Sequence, residues 1–142
     1  MTYSPRRSAT PTKHFRSWGE TQIARLLDRH YIPYLYEHPL AVVDEGKTKI
    51  WHPDFQLSGY GILIEYCGLP DRPDYAAGMA RKEAVYRDNG LTALMVTPDQ
   101  LRGDWPNRVL GRIEGILNER VTNFKDACHL SSSGKHVLTR YG

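Results

Sequence analysis

Apolar positions recur at helical spacing early in the chain, where Ile23, Ala24, Leu27 and Tyr31 form one stripe. Ser17 stands before it as an N-cap, and Glu20 follows three residues later in capping-box spacing, so a helix is predicted from Ser17. Glu20 belongs at the start of the apolar stripe. Its ordinary role is the cap, but a carboxylate there can also reach into a site. Period-two or continuous apolar runs then predict strands at Tyr34–His38, at Ile50–Phe55 after a turn over Asp44–Lys49, and at Ile62–Cys67. The segment Gly68-Leu69-Pro70-Asp71-Arg72-Pro73 is a loop that no helix can cross. A second helix is predicted from Asp74, as its cap, to Asn89, stopped by Gly90. Leu91–Thr97 reads as a strand ended by Pro98-Asp99. A third helix starts at Pro106 and presents Val109, Leu110, Ile113, Leu117 and Val121 on one face. The predicted order is α-β-β-β-α-β-α, an α/β fold without internal repeats.

The chemistry concentrates in Pro53-Asp54-Phe55 and Ile64-Glu65-Tyr66. If Ser58 to Gly61 closes an antiparallel hairpin, Leu57 faces Ile62, Phe55 faces Ile64, and Asp54 faces Glu65. Directly opposed Cβ atoms lie about 4.5–5.5 Å apart, so two carboxylates there repel unless a cation intervenes. On a continuous strand Asp54 would share a face with His52 and Ile50, and Glu65 with Leu63 and Cys67. The run from Gly61 to Cys67 is almost wholly apolar, as in a strand covered on both faces. A carboxylate inside it is buried and must be paired or coordinated. The pattern therefore points to a divalent-metal site.

Charge adds a second layer. Residues 1–16 carry Arg6, Arg7, Lys13 and Arg16 and no acid, while 122–142 carry Lys125, Lys135 and Arg140 against Asp126. The overall charge of +3 thus hides an acidic centre, over 17–121, between basic ends suited to phosphate contact. Residues 1–16 read as a basic arm and 122–142 as a basic tail, marked as flexible by Ser131-Ser132-Ser133-Gly134. No apolar run is long enough to span a membrane, and no signal peptide is evident, so a cytoplasmic protein is expected. The two cysteines, Cys67 and Cys128, give no disulfide framework, and with His129 and His136 they lack the spacing of a zinc site.

The order of elements, carrying Glu20, Pro53-Asp54 and Glu65, resembles the PD-(D/E)XK nuclease superfamily over about residues 17–101. Within it, Ile64-Glu65-Tyr66-Cys67-Gly68, then Tyr75, Lys82, Tyr86, Asn89-Gly90-Leu91 and Val96-Thr97-Pro98-Asp99-Gln100-Leu101 are similar to small single-domain endonucleases related to very-short-patch repair and restriction enzymes. The resemblance implies a restriction-endonuclease-like α-β-β-β-α-β core with an added C-terminal helix. It also implies metal-dependent hydrolysis of DNA phosphodiesters. Asp54, Glu65 and the backbone carbonyl of Tyr66 would hold Mg²⁺ or Mn²⁺, and Glu20 would hold a second metal or an outer-shell water. The superfamily lysine stands two residues after the strand carboxylate, where this chain has Cys67, and a thiol is no permanent cation. Some members supply the lysine from the following helix. Here Tyr75, Met79, Lys82 and Tyr86 share a helical stripe expected to face the sheet, which makes Lys82 the candidate, with simple snorkelling as the alternative. Arg81 and Arg87 lie off that stripe and are expected in solvent. Lys13, Arg16, His52, Lys125, Lys135 and Arg140 are candidate DNA contacts, and cutting both strands would favour a homodimer. The alternative is a catalytically weak nucleic-acid-binding module on the same scaffold.

Overall fold

The structure, a computed structural model, describes residues 14–57 and 59–138. Helix α1 (Trp18–Arg29) begins where the Ser17 cap predicts, with the Glu20 N–H donating to Ser17 Oγ at 3.1 Å. The capping box is incomplete. Instead of reaching back to the cap's backbone, the Glu20 carboxylate accepts the Ser17 hydroxyl at 2.5 Å.

A four-stranded sheet follows the order β1 (Leu35–Tyr36), β4 (Phe55–Leu57), β5 (Ile62–Tyr66), β6 (Thr92–Val96). Its first two pairings are antiparallel and the last is parallel, as the intervening helix α2 (Pro73–Asp88) requires. The β4–β5 register sets Phe55 against Ile64 and Leu57 against Ile62, as the hairpin expectation had it. One face of the sheet, with Phe55, Leu57, Ile62, Ile64, Leu94 and Val96, packs on Ile23 and Leu27 of α1 and on Val109 and Ile113 of α3 (Trp105–Leu138). The other face packs Leu63 against Val42, Val85 and Tyr86, below α2 and a separate hairpin. The sheet is thus covered on both sides, which is why β5 reads as one unbroken apolar run.

The separate hairpin is a departure from expectation. Ile50–Phe55 is not one strand. Strand β3 (Lys47–Trp51) ends before His52 and pairs with β2 (Leu40–Asp44) in its own two-stranded sheet, and β4 starts only at Phe55. Pro53 cannot donate to a ladder and restricts His52 before it, so the chain leaves one sheet and joins the other there. Asp54 consequently does not share a strand face with Ile50 and His52. The turn is also tighter than Asp44–Lys49. Asp44 pairs with Lys47, and Glu45 and Gly46 both adopt positive φ, 52° and 73°, as a two-residue hairpin loop demands.

The α-β-β-β-α-β order survives with this hairpin inserted between β1 and β4. Helix α2 is capped by Arg72 without a side-chain bond, not by Asp74, because Pro73 takes the first helical position, where its missing N–H costs nothing. Helix α3 runs unbroken through Leu138, across the Ser131–Gly134 stretch whose composition reads as a flexible tail. Among the described residues, no helix is long and apolar enough to cross a membrane.

Candidate active site

Strands β4 and β5 bring Asp54 and Glu65 to the same end of the sheet. Asp54 lies one residue before β4 and accepts the Tyr66 N–H at Oδ2, 2.7 Å away. Burial, and next the Glu65 charge, push its carboxyl up to about 7, against the opposing effect of the Tyr66 N–H. The Glu65 charge thus acts against ionisation of Asp54, although Asp54 lies just outside the paired register. Glu65, 2 % exposed, is held at Oε1 by the Tyr86 hydroxyl at 2.7 Å and by Lys82 Nζ at 2.8 Å. These bonds occupy Asp54 Oδ2 and Glu65 Oε1, leaving Asp54 Oδ1 and Glu65 Oε2 outside them.

Lys82 sits on α2 where the stripe of Tyr75, Met79 and Tyr86 turns toward the sheet. Its side chain is 29 % exposed, and its ammonium pairs with the buried Glu65 instead of only reaching out to water. The other stripe members are also engaged. The Tyr75 hydroxyl accepts the Gly68 N–H at 3.2 Å, fixing the loop after β5, and the Tyr86 ring packs edge-on against Trp51. Burial and the Glu65 charge raise the Tyr86 hydroxyl well above the ordinary phenol range, so it stays a donor.

Glu20 approaches from α1, 5 % exposed. Its Oε1 accepts the Tyr36 hydroxyl at 2.8 Å, while Oε2 takes Ser17. Its charge reaches Asp54, where it adds to the upward push. Both of its oxygens already have hydroxyl donors, and among the described residues no three His, Cys, Asp or Glu side chains group as a metal cluster. Any ion here would rest on Asp54, Glu65 and a backbone carbonyl. The Tyr66 ring lies over Gly19, where an added Cβ would overlap it, so the residue at 19 must be glycine for α1 to approach this end of β5.

Cys67 is buried and its thiol is pushed up to about 11, chiefly by burial and then by Glu65, so it stays protonated and uncharged at neutral pH. Cys128 is exposed on α3, away from that buried position. His52 lines an open cleft of about 400 Å³ with Ile50, Trp51, Gly78, Arg81 and Lys82. Arg81 is not simply solvated. It pairs with Asp44 at 2.6 Å, beside Lys49 at 2.8 Å, and these two bonds hold the Asp44 carboxyl below its usual range. Arg16 is tied to Glu37 at 2.8 Å, and its N–H donates to the Tyr36 hydroxyl at 3.1 Å, close to Glu20. Lys125 is exposed on α3. Lys135 falls on the same helix, and Lys13 and Arg140 lie outside the described residues.

Two tyrosines escaped the sequence reading as partners of the site. Tyr86 had a signal, a phenol on the stripe facing a buried strand glutamate. Tyr36 had none, since its distance from Glu20 is set only by how α1 crosses the sheet.

No protein-family model matches this chain, and no curated protein matches it either. Among solved structures it is similar to the homing endonuclease I-Bth0305I catalytic domain, at 25% sequence identity and a TM-score of 0.45, covering 72% of this chain and 93% of that one.

Proposed function

We propose that the protein is a metal-dependent endonuclease that hydrolyses phosphodiester bonds in DNA. The observation that carries the reading is the convergence of two carboxylates with one helix cation, Lys82 Nζ lying 2.8 Å from Glu65 Oε1, while burial and next the Glu65 charge push the Asp54 carboxyl up to about 7. Two adjacent carboxylates with hard oxygen donors suit Mg²⁺ or Mn²⁺, with the Tyr66 carbonyl as third ligand. A bound divalent ion supplies an acidified water and polarises the phosphate.

The side chains then divide the remaining work. Asp54, in its ionised form, would be one of the carboxylates that hold the ion. Glu65 is oriented by the Tyr86 hydroxyl, which cannot ionise at working pH. Lys82, fixed by Glu65, offers its remaining N–H groups to the attacking water or to the charge that develops on the phosphate. Glu20, held by Ser17 and Tyr36, acts on the site through its field and through water. Cys67 takes no part, being neutral and buried.

Cys67 in the usual lysine position also supports the second reading, a weak or inactive DNA-binding module. Incubation of the full chain with supercoiled plasmid, branched and single-stranded DNA, with Mg²⁺, Mn²⁺ or a chelator, separates the two. Nicking that requires metal and is lost in Asp54→Ala or Glu65→Ala supports the nuclease, whereas binding without metal-dependent cutting supports the module.

A further inference from the structure

The β2–β3 hairpin has two unlike sides. Its inner side is clamped to α2. Val42 and Trp51 pack with Tyr86, Asp44 pairs with Arg81, and the Asn89 amide both accepts the Val43 N–H at 2.8 Å and donates to the Val43 carbonyl at 2.9 Å. Its outer side carries two directly opposed pairs, Ala41 with Ile50 and Val43 with Thr48. All four are exposed, none is charged, and Val43 and Ile50 are 54 % and 58 % exposed. Ile50 is also a wall of the 400 Å³ cleft, whose titratable lining residues, His52, Arg81 and Lys82, are all bases. Lys82 joins that cleft to Glu65. The exposed acid at the turn, Glu45, lies 3.9 Å from Arg81.

We infer that this hairpin is a reading ribbon for duplex DNA, its uncharged face set into the major groove, while the donor-lined cleft beside it takes the backbone of the strand to be cut. The inference rests on the nuclease reading of the site and adds the form of the substrate and the residues that contact its bases. Dimensions agree. A five-residue ribbon is roughly 17 Å long with strands about 4.8 Å apart, and a major groove about 12 Å wide admits a two-stranded ribbon. Chemistry agrees too, since small and β-branched methyl groups are the surface that thymine methyls contact. The outer face offers no aromatic ring on which unpaired bases could stack, which argues against a single-strand platform. The flanking cleft is lined by N–H donors of His52, Arg81 and Lys82, and although Asp44 and Glu65 offset two of the charges, donors not used in those pairs match phosphate oxygens.

The test is binding of the full chain, in chelator, to a labelled mixed-sequence duplex and to one of its single strands, followed by fluorescence anisotropy. Val43→Glu and Ile50→Glu place a carboxylate on an exposed surface against phosphates and bases. Each should lower duplex affinity by about tenfold or more while leaving single-strand affinity and the urea midpoint unchanged, and Ile50→Lys should keep duplex affinity. Unchanged duplex affinity in both glutamate variants, or an equal loss on single strands, overturns the ribbon. Unchanged DNA affinity with altered sedimentation overturns it in favour of a protein-binding face. If the wild type binds duplex through the ribbon but never cuts with Mg²⁺, the nuclease reading fails and the ribbon stands. If it cuts and the glutamate variants bind and cut equally well, the ribbon alone fails.

Discussion

Replacing Asp54 with asparagine should stabilise the metal-free protein at alkaline pH far more than at acid pH. The asparagine keeps a carbonyl oxygen for the Tyr66 N–H, 2.7 Å from the present carboxylate, and removes the charge opposed to Glu65. In the folded protein the Asp54 carboxyl is raised to about 7 from 3.8. An acid raised in this way favours the fold fully below pH 3.8, and that advantage is lost as pH rises through about 7. At about 1.4 kcal/mol per unit, the wild type pays on the order of 4 kcal/mol above pH 8 and less than half of that at pH 5. The difference between Asp54→Asn and wild type should therefore grow by about 2.5 kcal/mol between pH 5 and pH 8. In urea melts with chelator this is a shift of roughly 1–2 M in midpoint. Titrating groups away from Asp54, Glu65, Glu20 and Lys82 act alike on both proteins and cancel in the comparison. A difference between the two proteins that stays the same at both pH values would refute the opposed-carboxylate account. If the site holds Mg²⁺ as proposed, saturating Mg²⁺ should narrow or reverse the order, since Asp54→Asn removes a carboxylate ligand.

Tyr86→Phe should cost about 1.5–3 kcal/mol in urea melts, because it strips a donor from a carboxylate that is 2 % exposed. No loss would mean that water replaces the hydroxyl. Gly19→Ala should destabilise by driving a Cβ into the Tyr66 ring, and Tyr66→Ala in the same chain should recover part of that loss. Strict additivity of the two changes would show that the contact is not what excludes a side chain. Deleting residues 1–14 removes Arg6, Arg7 and Lys13, so the log–log salt slope of duplex binding should fall by at most roughly 2.7, with cleavage at saturating DNA preserved. An unchanged slope would make the arm a spectator.

Local rules located most of the scaffold because the signals were short-range. Ser17, the apolar run of β5 and Gly90 each act within a few residues of themselves, and the β4–β5 register followed from alternation once the turn was placed. The β2–β3 hairpin was missed although Glu45-Gly46 between Val43 and Thr48 marks its turn, because Pro53 was read as inside a strand and not as the junction between two sheets. The α2 stripe pointed Lys82 inward, and that held because the stripe faces a buried Glu65 that draws a cation. Arg81 was misjudged for the same reason in reverse. Its partner, Asp44, lies on the missed hairpin. Glu20's surroundings were only half legible. The cap to Ser17 is local, but the Tyr36 hydroxyl and the Gly19–Tyr66 contact depend on how a helix crosses a sheet, which no local pattern encodes.

The central claim is that Asp54, Glu65 and Lys82 act together on a phosphodiester, and it is met most directly by Mg²⁺-dependent nicking of supercoiled plasmid under single-turnover conditions. Wild type, Cys67→Ala, Glu65→Gln and Lys82→Ala should be compared side by side, with DNA affinity measured in parallel. Wild type and Cys67→Ala should nick alike. Glu65→Gln should be inactive, and Lys82→Ala should lose about a hundredfold or more in rate at saturating DNA, a loss larger than any fall in its DNA affinity. Nicking by Glu65→Gln at the wild-type rate would contradict the central claim.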